Sequence, residues 1–135
     1  MGDEHGNNLA VLVVEDDPDL NEMLGAYVRI AGFRCNSAMD GGSALRLAKE
    51  PATSLVLLDI MLPDIDGLEV CRQLKNDAGT RAIPIVLLTA LDRDEYRQRG
   101  RECGACAYIT KPFDPERLIH TMQTLVARNG DGRRR

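Results

Sequence analysis

The sequence predicts one α/β domain built on a five-stranded parallel sheet of order 2-1-3-4-5, doubly wound by helices. Three observations lead there. Apolar runs of strand length recur along the 135 residues, with helical stretches between them. Three of these runs, "LAVLVV", "SLVLL" and "IPIVLL", are continuous rather than alternating, as in strands buried on both faces. The joints between runs carry helix-start and helix-stop residues, so each strand is followed by a helix. That alternation implies a parallel sheet covered by helices on both sides.

The first strand is Leu9–Val14, β-branched and uninterrupted. Asp17 and Pro18 then supply an N-cap and an N1 proline. Leu20, Met23, Leu24, Tyr27 and Val28 recur at helical spacing across Leu20–Ile30, and Gly32 closes that helix. Phe33–Ser37 is a weaker second strand. Asp40–Glu50 is a short helix with Ala44, Leu45 and Ala48 on one side. Ser54–Leu58 is the third strand, followed by a helix over Ile65–Asn76 with Leu68, Val70, Cys71 and Leu74 on its apolar side. Ile83–Leu88 is the fourth strand, Asp92–Cys103 a very polar helix, and Cys106–Ile109 a short fifth strand. The last helix opens at Asp114-Pro115 and carries Leu118, Ile119, Met122, Leu125 and Val126. The domain is thus expected over residues 9–128. Residues 1–8 and the tail 129–135, "NGDGRRR", lack apolar content and are expected to be disordered. Right-handed crossovers leave few windings, and the flavodoxin-like order puts the three most apolar strands at the centre. Ligands of such sheets bind at the carboxyl ends of the strands, where the winding reverses between strands one and three.

Composition excludes several classes. Hydrophobic residues make up 44% and charged residues 28%, as in ordinary soluble domains. A net charge of −4 argues against direct nucleic-acid binding by this domain. No apolar run approaches the roughly 20 residues of a membrane span. "MGDEHGNN" has no apolar core, so it does not read as a signal peptide, and Gly6 breaks the myristoylation pattern. A cytoplasmic, reducing location is expected, with Cys35, Cys71, Cys103 and Cys106 as thiols.

The strand ends carry the chemistry. Glu15, Asp16 and Asp17 follow the first strand, Asp59 the third, Thr89 the fourth and Lys111 the fifth. The fold would gather them in one crevice. Glu15, Asp16 and Asp59 would put three carboxylates in a small volume, where like charges disfavour one another's ionised forms. A hard divalent cation resolves this, and Mg²⁺ prefers one or two carboxylates with waters and phosphate oxygens. Mn²⁺ is a possible substitute. An acid directly after four apolar strand residues must be paired or functional, and a carboxylate can act as a nucleophile toward phosphorus. Lys111 would offset charge on the transferring group, and the Thr89 hydroxyl could donate to one of its oxygens. Asp17, preceding Pro18, reads as a helix cap instead.

With those residues in place, the sequence resembles a response-regulator receiver domain of two-component signalling. The resemblance rests on "VLVVEDDPDL", "LVLLDIMLPDIDGLEV", "IVLLTA" and "GACAYITKPF", covering about Leu9 to Arg128. It implies phosphorylation of Asp59 by a histidine kinase or histidine phosphotransfer protein. It implies Mg²⁺ held by Asp16, Asp59 and the Met61 backbone carbonyl, with Glu15 reaching the metal through water. Thr89 and Lys111 match the family's hydroxyl and lysine, and Tyr108 its switch aromatic, which turns inward when Thr89 moves toward the phosphoryl group. The Lys111-Pro112 bond is typically cis in the family. Phosphorylation would bias the face made by helix four, strand five and helix five, controlling a downstream protein or a fused output domain. The protein would itself be a switch rather than an enzyme, taking part only in its own phosphotransfer and autodephosphorylation, as a monomer or a phosphorylation-dependent dimer.

Two departures narrow this. Winged-helix DNA-binding regulators carry acids in the "GADDY" segment and an arginine in helix five that pair across a dimer; here those positions are Cys106, Ala107 and Thr121. Arg101 stands where an apolar residue is common, so the charged fourth helix is either a solvated face or a partner-specific surface. Asp64-Ile65-Asp66-Gly67 resembles a calcium loop and a phosphatase motif but fits neither pattern. A flavin-binding domain would need a phosphate-cradling loop after strand one, where acids stand instead. A receiver-like binding module that has lost phosphorylation is opposed by the presence of Asp59, Thr89 and Lys111. Cys103-Gly104-Ala105-Cys106 is not a redox pair by position, because it closes a helix rather than opening one, and a zinc site would need two further ligands. Gly104 reads as the residue ending helix four. The chain ends about where helix five should, which fits a stand-alone receiver or one joined to an output domain; the former is expected.

Overall fold

Strands β1 (Ala10–Val14), β3 (Thr53–Leu58) and β4 (Ile85–Thr89) are buried at every position in the computed structural model, which describes residues 8–133. Between and after them come α1 (Pro18–Ile30), β2 (Arg34–Ala38), α2 (Gly41–Leu47), α3 (Gly67–Asn76), α4 (Asp94–Glu102), β5 (Ala107–Thr110) and α5 (Pro115–Arg133). All pairings are parallel and the order is β2-β1-β3-β4-β5, as expected.

The period of two in a strand divides each continuous apolar run between two cores. Leu12, Val14, Val56, Leu58, Ile85 and Leu87 face one side and pack with Ala44, Val70 and Leu74 of α2 and α3. Val11, Val13, Leu55, Leu57, Val86 and Leu88 face the other and pack with Leu24, Val28, Leu118 and Met122 of α1 and α5. β5 forms an edge and is only half-buried.

The boundaries shift for local reasons. β4 starts two residues later than expected, because Pro84 has no N–H for the ladder and contributes only its carbonyl, to the Val56 N–H at 3.0 Å. At its other end the strand runs one residue further than expected, because Thr89 pairs with Thr110 and its carbonyl accepts from the Lys111 N–H at 2.9 Å. β5 starts at Ala107, although the Cys106 N–H still donates to the Ile85 carbonyl at 2.8 Å. α3 begins at Gly67 and not Ile65, since Asp66 takes the N-cap and accepts from the Leu68 N–H at 2.8 Å. α2 ends at Leu47, where i→i−3 bonds from Lys49 and Glu50 tighten the chain. α5 runs to Arg133, past the end expected near Arg128, so the helix continues into the segment read from sequence as a polar tail. The expectation for residues 1–7 and for the last two residues lies outside the described part of the chain.

Gly104 adopts φ +97°, the left-handed conformation expected of a helix-closing residue. The four thiols are free, and burial pushes Cys71 up to about 12. Cys103 lies partly buried at the end of α4 and Cys106 is exposed at the sheet edge. Among the described residues, no helix is long and apolar enough to cross a membrane.

Candidate functional site

The carboxyl ends of β1, β3 and β5 bring Glu15, Asp16, Asp59 and Lys111 together. The rigid strand beneath Asp59 leaves its carboxylate 5% exposed, and Glu15 is 3% exposed. Asp16 lies open to solvent. One oxygen from each of the three carboxylates lies within 4.8 Å of the others. The Lys111 ammonium bridges two of them, donating to Glu15 Oε1 at 2.8 Å and Asp59 Oδ2 at 2.9 Å. The Lys111–Pro112 peptide behind it is cis.

The electrostatics follow from this packing. Burial pushes the Glu15 carboxyl above its ordinary range; the Lys111 ammonium and the Asp17 N–H pull it part of the way back. Burial alone would lower Lys111, yet the hydrogen bonds to Asp59 and Glu15 outweigh it and hold the ammonium above its usual value. One cation therefore stands against three acids. The donor set, hard oxygens with one carboxylate open to water, suits a divalent cation of the Mg²⁺ or Mn²⁺ type and not a soft metal. The Met61 N–H donates to Asp59 Oδ1 at 3.1 Å, which brings the Met61 backbone to the same acid. Asp16 and Met61 line an open cleft of about 580 Å³ that also reaches Leu91 and Tyr96.

Thr89 and Tyr108 occupy the neighbouring strand ends. Thr89 is fully buried, and its hydroxyl oxygen accepts from the Leu91 N–H at 3.4 Å rather than contacting Asp59. The Tyr108 hydroxyl donates to the Leu91 carbonyl at 2.6 Å. Both side chains thus grip the backbone of one residue. The Tyr108 ring lies under the Arg97 guanidinium, 5.0 Å from its centroid, and against Gly100, where an added Cβ would stand 3.3 Å from the ring.

Several supporting residues escaped sequence reasoning. Asn21 is buried in α1, and its amide donates to the Glu15 carbonyl at 2.9 Å and the Ala38 carbonyl at 3.2 Å, fixing the turn that carries the acid pair. A polar residue in a helix's buried stripe was the available signal. Asp64, in a motif that matched no known site, accepts from the N–H groups of Gly41 at 2.8 Å and Gly42 at 2.9 Å and so ties the loop after β3 to α2. Leu91 carried no signal, since only its backbone acts. Asp17 caps α1 as expected, accepting from the Asp19 N–H at 3.0 Å.

A doubly wound sheet with a polar pocket at its switch point defines a class of ligand-binding α/β domain. Comparison with known proteins places the chain within that class. The family model for the response regulator receiver domain matches residues 11–123, and the chain belongs to that family. It is 43% identical over 121 residues to the DNA-binding response regulator MtrA of Mycolicibacterium smegmatis, covering 90% of this chain and 52% of that protein. Among solved structures it is similar to the BeF3-activated DrrB receiver domain (TM-score 0.79, 33% identity, 88% of this chain and 97% of that one). It is also similar to the receiver domain of the sensor histidine kinase PA1611 from Pseudomonas aeruginosa PAO1 (TM-score 0.80, 29% identity, 88% and 98%). The chain spans about half the length of the curated relatives it matches. It is a receiver domain of the two-component signalling type.

Proposed function

We propose that Asp59 accepts a phosphoryl group from a histidine kinase or a histidine phosphotransfer protein. The observation that carries this is the Lys111 ammonium bridging Glu15 and Asp59 inside a three-carboxylate cluster. An Asp59 carboxylate oxygen attacks phosphorus while the P–N bond to the donor histidine breaks, leaving an aspartyl phosphate. Asp16, Asp59 and the Met61 carbonyl would hold Mg²⁺, with Mn²⁺ as substitute and Glu15 beside it through water; the ion would offset negative charge on the acids and the phosphoryl oxygens. The PA1611 receiver domain was solved with magnesium coordinated in its active site cleft, which supports that choice. Lys111 holds its charge at neutral pH and is placed to follow the transferred oxygens. Hydrolysis by water returns Asp59 to its free form.

Thr89 and Tyr108 carry the change outward. The phosphoryl oxygens carry about −1.5 to −2 charges, while the Asp59 carboxylate gives up its own, so negative charge both grows and moves outward from the strand end. When Thr89 turns its hydroxyl to a phosphoryl oxygen it releases the Leu91 N–H, and Tyr108, already on the Leu91 carbonyl, follows that loop. The α4–β5–α5 face is thereby biased toward a second arrangement, read by a downstream protein or a fused output domain. The reading places the protein in the cytoplasm. Intact mass spectrometry with a small-molecule phosphodonor and Mg²⁺ tests it. One base-labile phosphate is expected, lost in Asp59→Asn and in EDTA; no adduct from any donor or kinase would sink the reading.

A further inference from the structure

Two of the three clustered carboxylates are held by protein donors at both oxygens. Glu15 accepts from the Lys111 ammonium at Oε1 and from the Asp17 N–H at Oε2, 3.0 Å away. Asp59 accepts from the Lys111 ammonium at Oδ2 and from the Met61 N–H at Oδ1. Asp16 differs: it is exposed, and among the described residues no donor holds its side chain. Its direction therefore comes from the backbone on either side of it. Asn21 holds both sides. Its side-chain amide donates to the Glu15 carbonyl at 2.9 Å, which fixes the plane of the Glu15–Asp16 peptide. Its main-chain N–H donates to the Asp17 carbonyl at 2.8 Å, in the first turn of α1. The amide also donates to the Ala38 carbonyl at 3.2 Å, the same oxygen that accepts from the Glu15 N–H at 3.0 Å. The acid turn is thus pinned to the end of β2 as well as to α1.

We propose that Asn21 is a positioning residue that aims Asp16 at the divalent cation, a role that rests on the metal reading above. Asn21 lies among the buried residues of α1, where an apolar side chain would pack with no polar group to satisfy. Its amide supplies what such a side chain lacks: two donors on one neutral group, matched to carbonyls at the ends of two strands. A cationic donor could serve the same oxygens, but it would add positive charge beside a site that already sets one ammonium against three acids. Mg²⁺ makes the aim matter, because it demands near-ideal octahedral geometry, whereas Ca²⁺ accepts irregular sets of oxygens at longer distances. Groups that orient a metal's ligands without touching the metal typically change affinity by about ten- to a hundredfold. A turn freed from Asn21 keeps all three carboxylates and their charge, and loses the direction of the one that no donor holds. The loss therefore falls on Mg²⁺ more than on Ca²⁺. A general weakening of the fold or a change of charge would act on both ions alike.

The test titrates the isotope-labelled full chain, unphosphorylated, with Mg²⁺ and with Ca²⁺, followed by amide shifts, which read weak binding as well as strong. Asn21→Leu is similar in size and removes the donors. With a parent-like far-UV spectrum in EDTA, it should bind Mg²⁺ about tenfold more weakly and lose less affinity for Ca²⁺. If the leucine variant does not fold, Asn21→Ser, with one donor on a shorter side chain, takes its place with the same expected sign and the same criteria. In an Asp16→Asn background the Asn21 change should cost less than about twofold further, because the ligand it aims is gone. The inference is overturned if the Asn21 variant binds Mg²⁺ as tightly as the parent, if both ions weaken equally, or if its effect multiplies with that of Asp16→Asn. Undiminished Mg²⁺ binding by Asp16→Asn alone overturns the metal reading and this inference with it. Loss in Asp16→Asn without loss in the Asn21 variant overturns this inference and leaves the metal reading standing.

Discussion

At Lys111 a single ammonium serves two carboxylates that are almost wholly out of water: the side chains of Glu15 and Asp59 are 4% and 6% exposed. Removing one partner of a buried charge network leaves uncompensated charge, at a cost of about 3 kcal/mol. Lys111→Met should lower unfolding free energy by about that amount at neutral pH in urea titrations, and millimolar Mg²⁺ should restore part of it. Glu15 gives the opposite sign. Its carboxyl is raised by burial from an ordinary value of 4.5, so the native state binds the proton more tightly than the unfolded chain. Its contribution is most favourable in acid and fades as pH rises from 4.5 through the raised folded value. Glu15→Gln should therefore raise Tm at neutral pH, and the gain should vanish as pH falls below 4.5. An equal gain at every pH would mean the burial effect is absent.

The loop from β3 to α3 holds Met61 against Asp59, and two devices set its path. Gly67 lets the start of α3 fold back on the strand end: its N–H donates to the Ile60 carbonyl at 2.8 Å, and a Cβ there would lie 2.1 Å from the Asp59 carbonyl oxygen. That oxygen is backbone and cannot yield without moving Asp59. Gly67→Ala should cost about 3 kcal/mol and weaken Mg²⁺ binding measured calorimetrically. Gly42→Ala is the control, because its Cβ would meet nothing nearer than Asp64 Oδ2 at 3.5 Å. The second device is Asp64, whose three accepted backbone N–H bonds, from Gly41, Gly42 and Ile65, hold its carboxyl below the usual range. Asp64→Ala should lower the midpoint of chemical denaturation, with Asp64→Asn recovering part of the loss. Periodicity exposed the helix α3 and its apolar side, but not these devices. A staple between a loop and a helix more than twenty residues upstream has no local pattern, and Asp64 looked like part of a failed calcium motif.

Across the whole molecule, what the sequence revealed follows from how the strands are buried. β1, β3 and β4 lie between two cores, so their runs are apolar throughout, and the polar residue that interrupts each run marks the carboxyl end of the sheet. Glu15, Asp59 and Thr89 were legible for that reason, and parallel pairing then brings the ends together. What backbone atoms do was not legible: the hold of Thr89 and Tyr108 on Leu91, and of Asn21 on the Glu15 carbonyl, depends on distances that no residue type announces. The same burial makes the molecule's stability a reporter of its site. Cations that bind the native cluster and not the unfolded chain raise stability by RT ln(1 + [L]/Kd), about 2.7 kcal/mol at a hundredfold excess over Kd, or roughly 10 °C in a domain of this size. Asp16 is the exposed member of the cluster and holds no side-chain hydrogen bond among the described residues, so its loss should leave the metal-free protein nearly unchanged. Asp16→Asn is therefore expected to melt within about 1 °C of the parent in EDTA, since surface substitutions usually stay within about 0.5 kcal/mol, and to lose most of the Mg²⁺-induced rise. A variant that keeps the full rise would place the cation away from Asp16; one that falls in EDTA as well would make Asp16 a part of the fold rather than of the site.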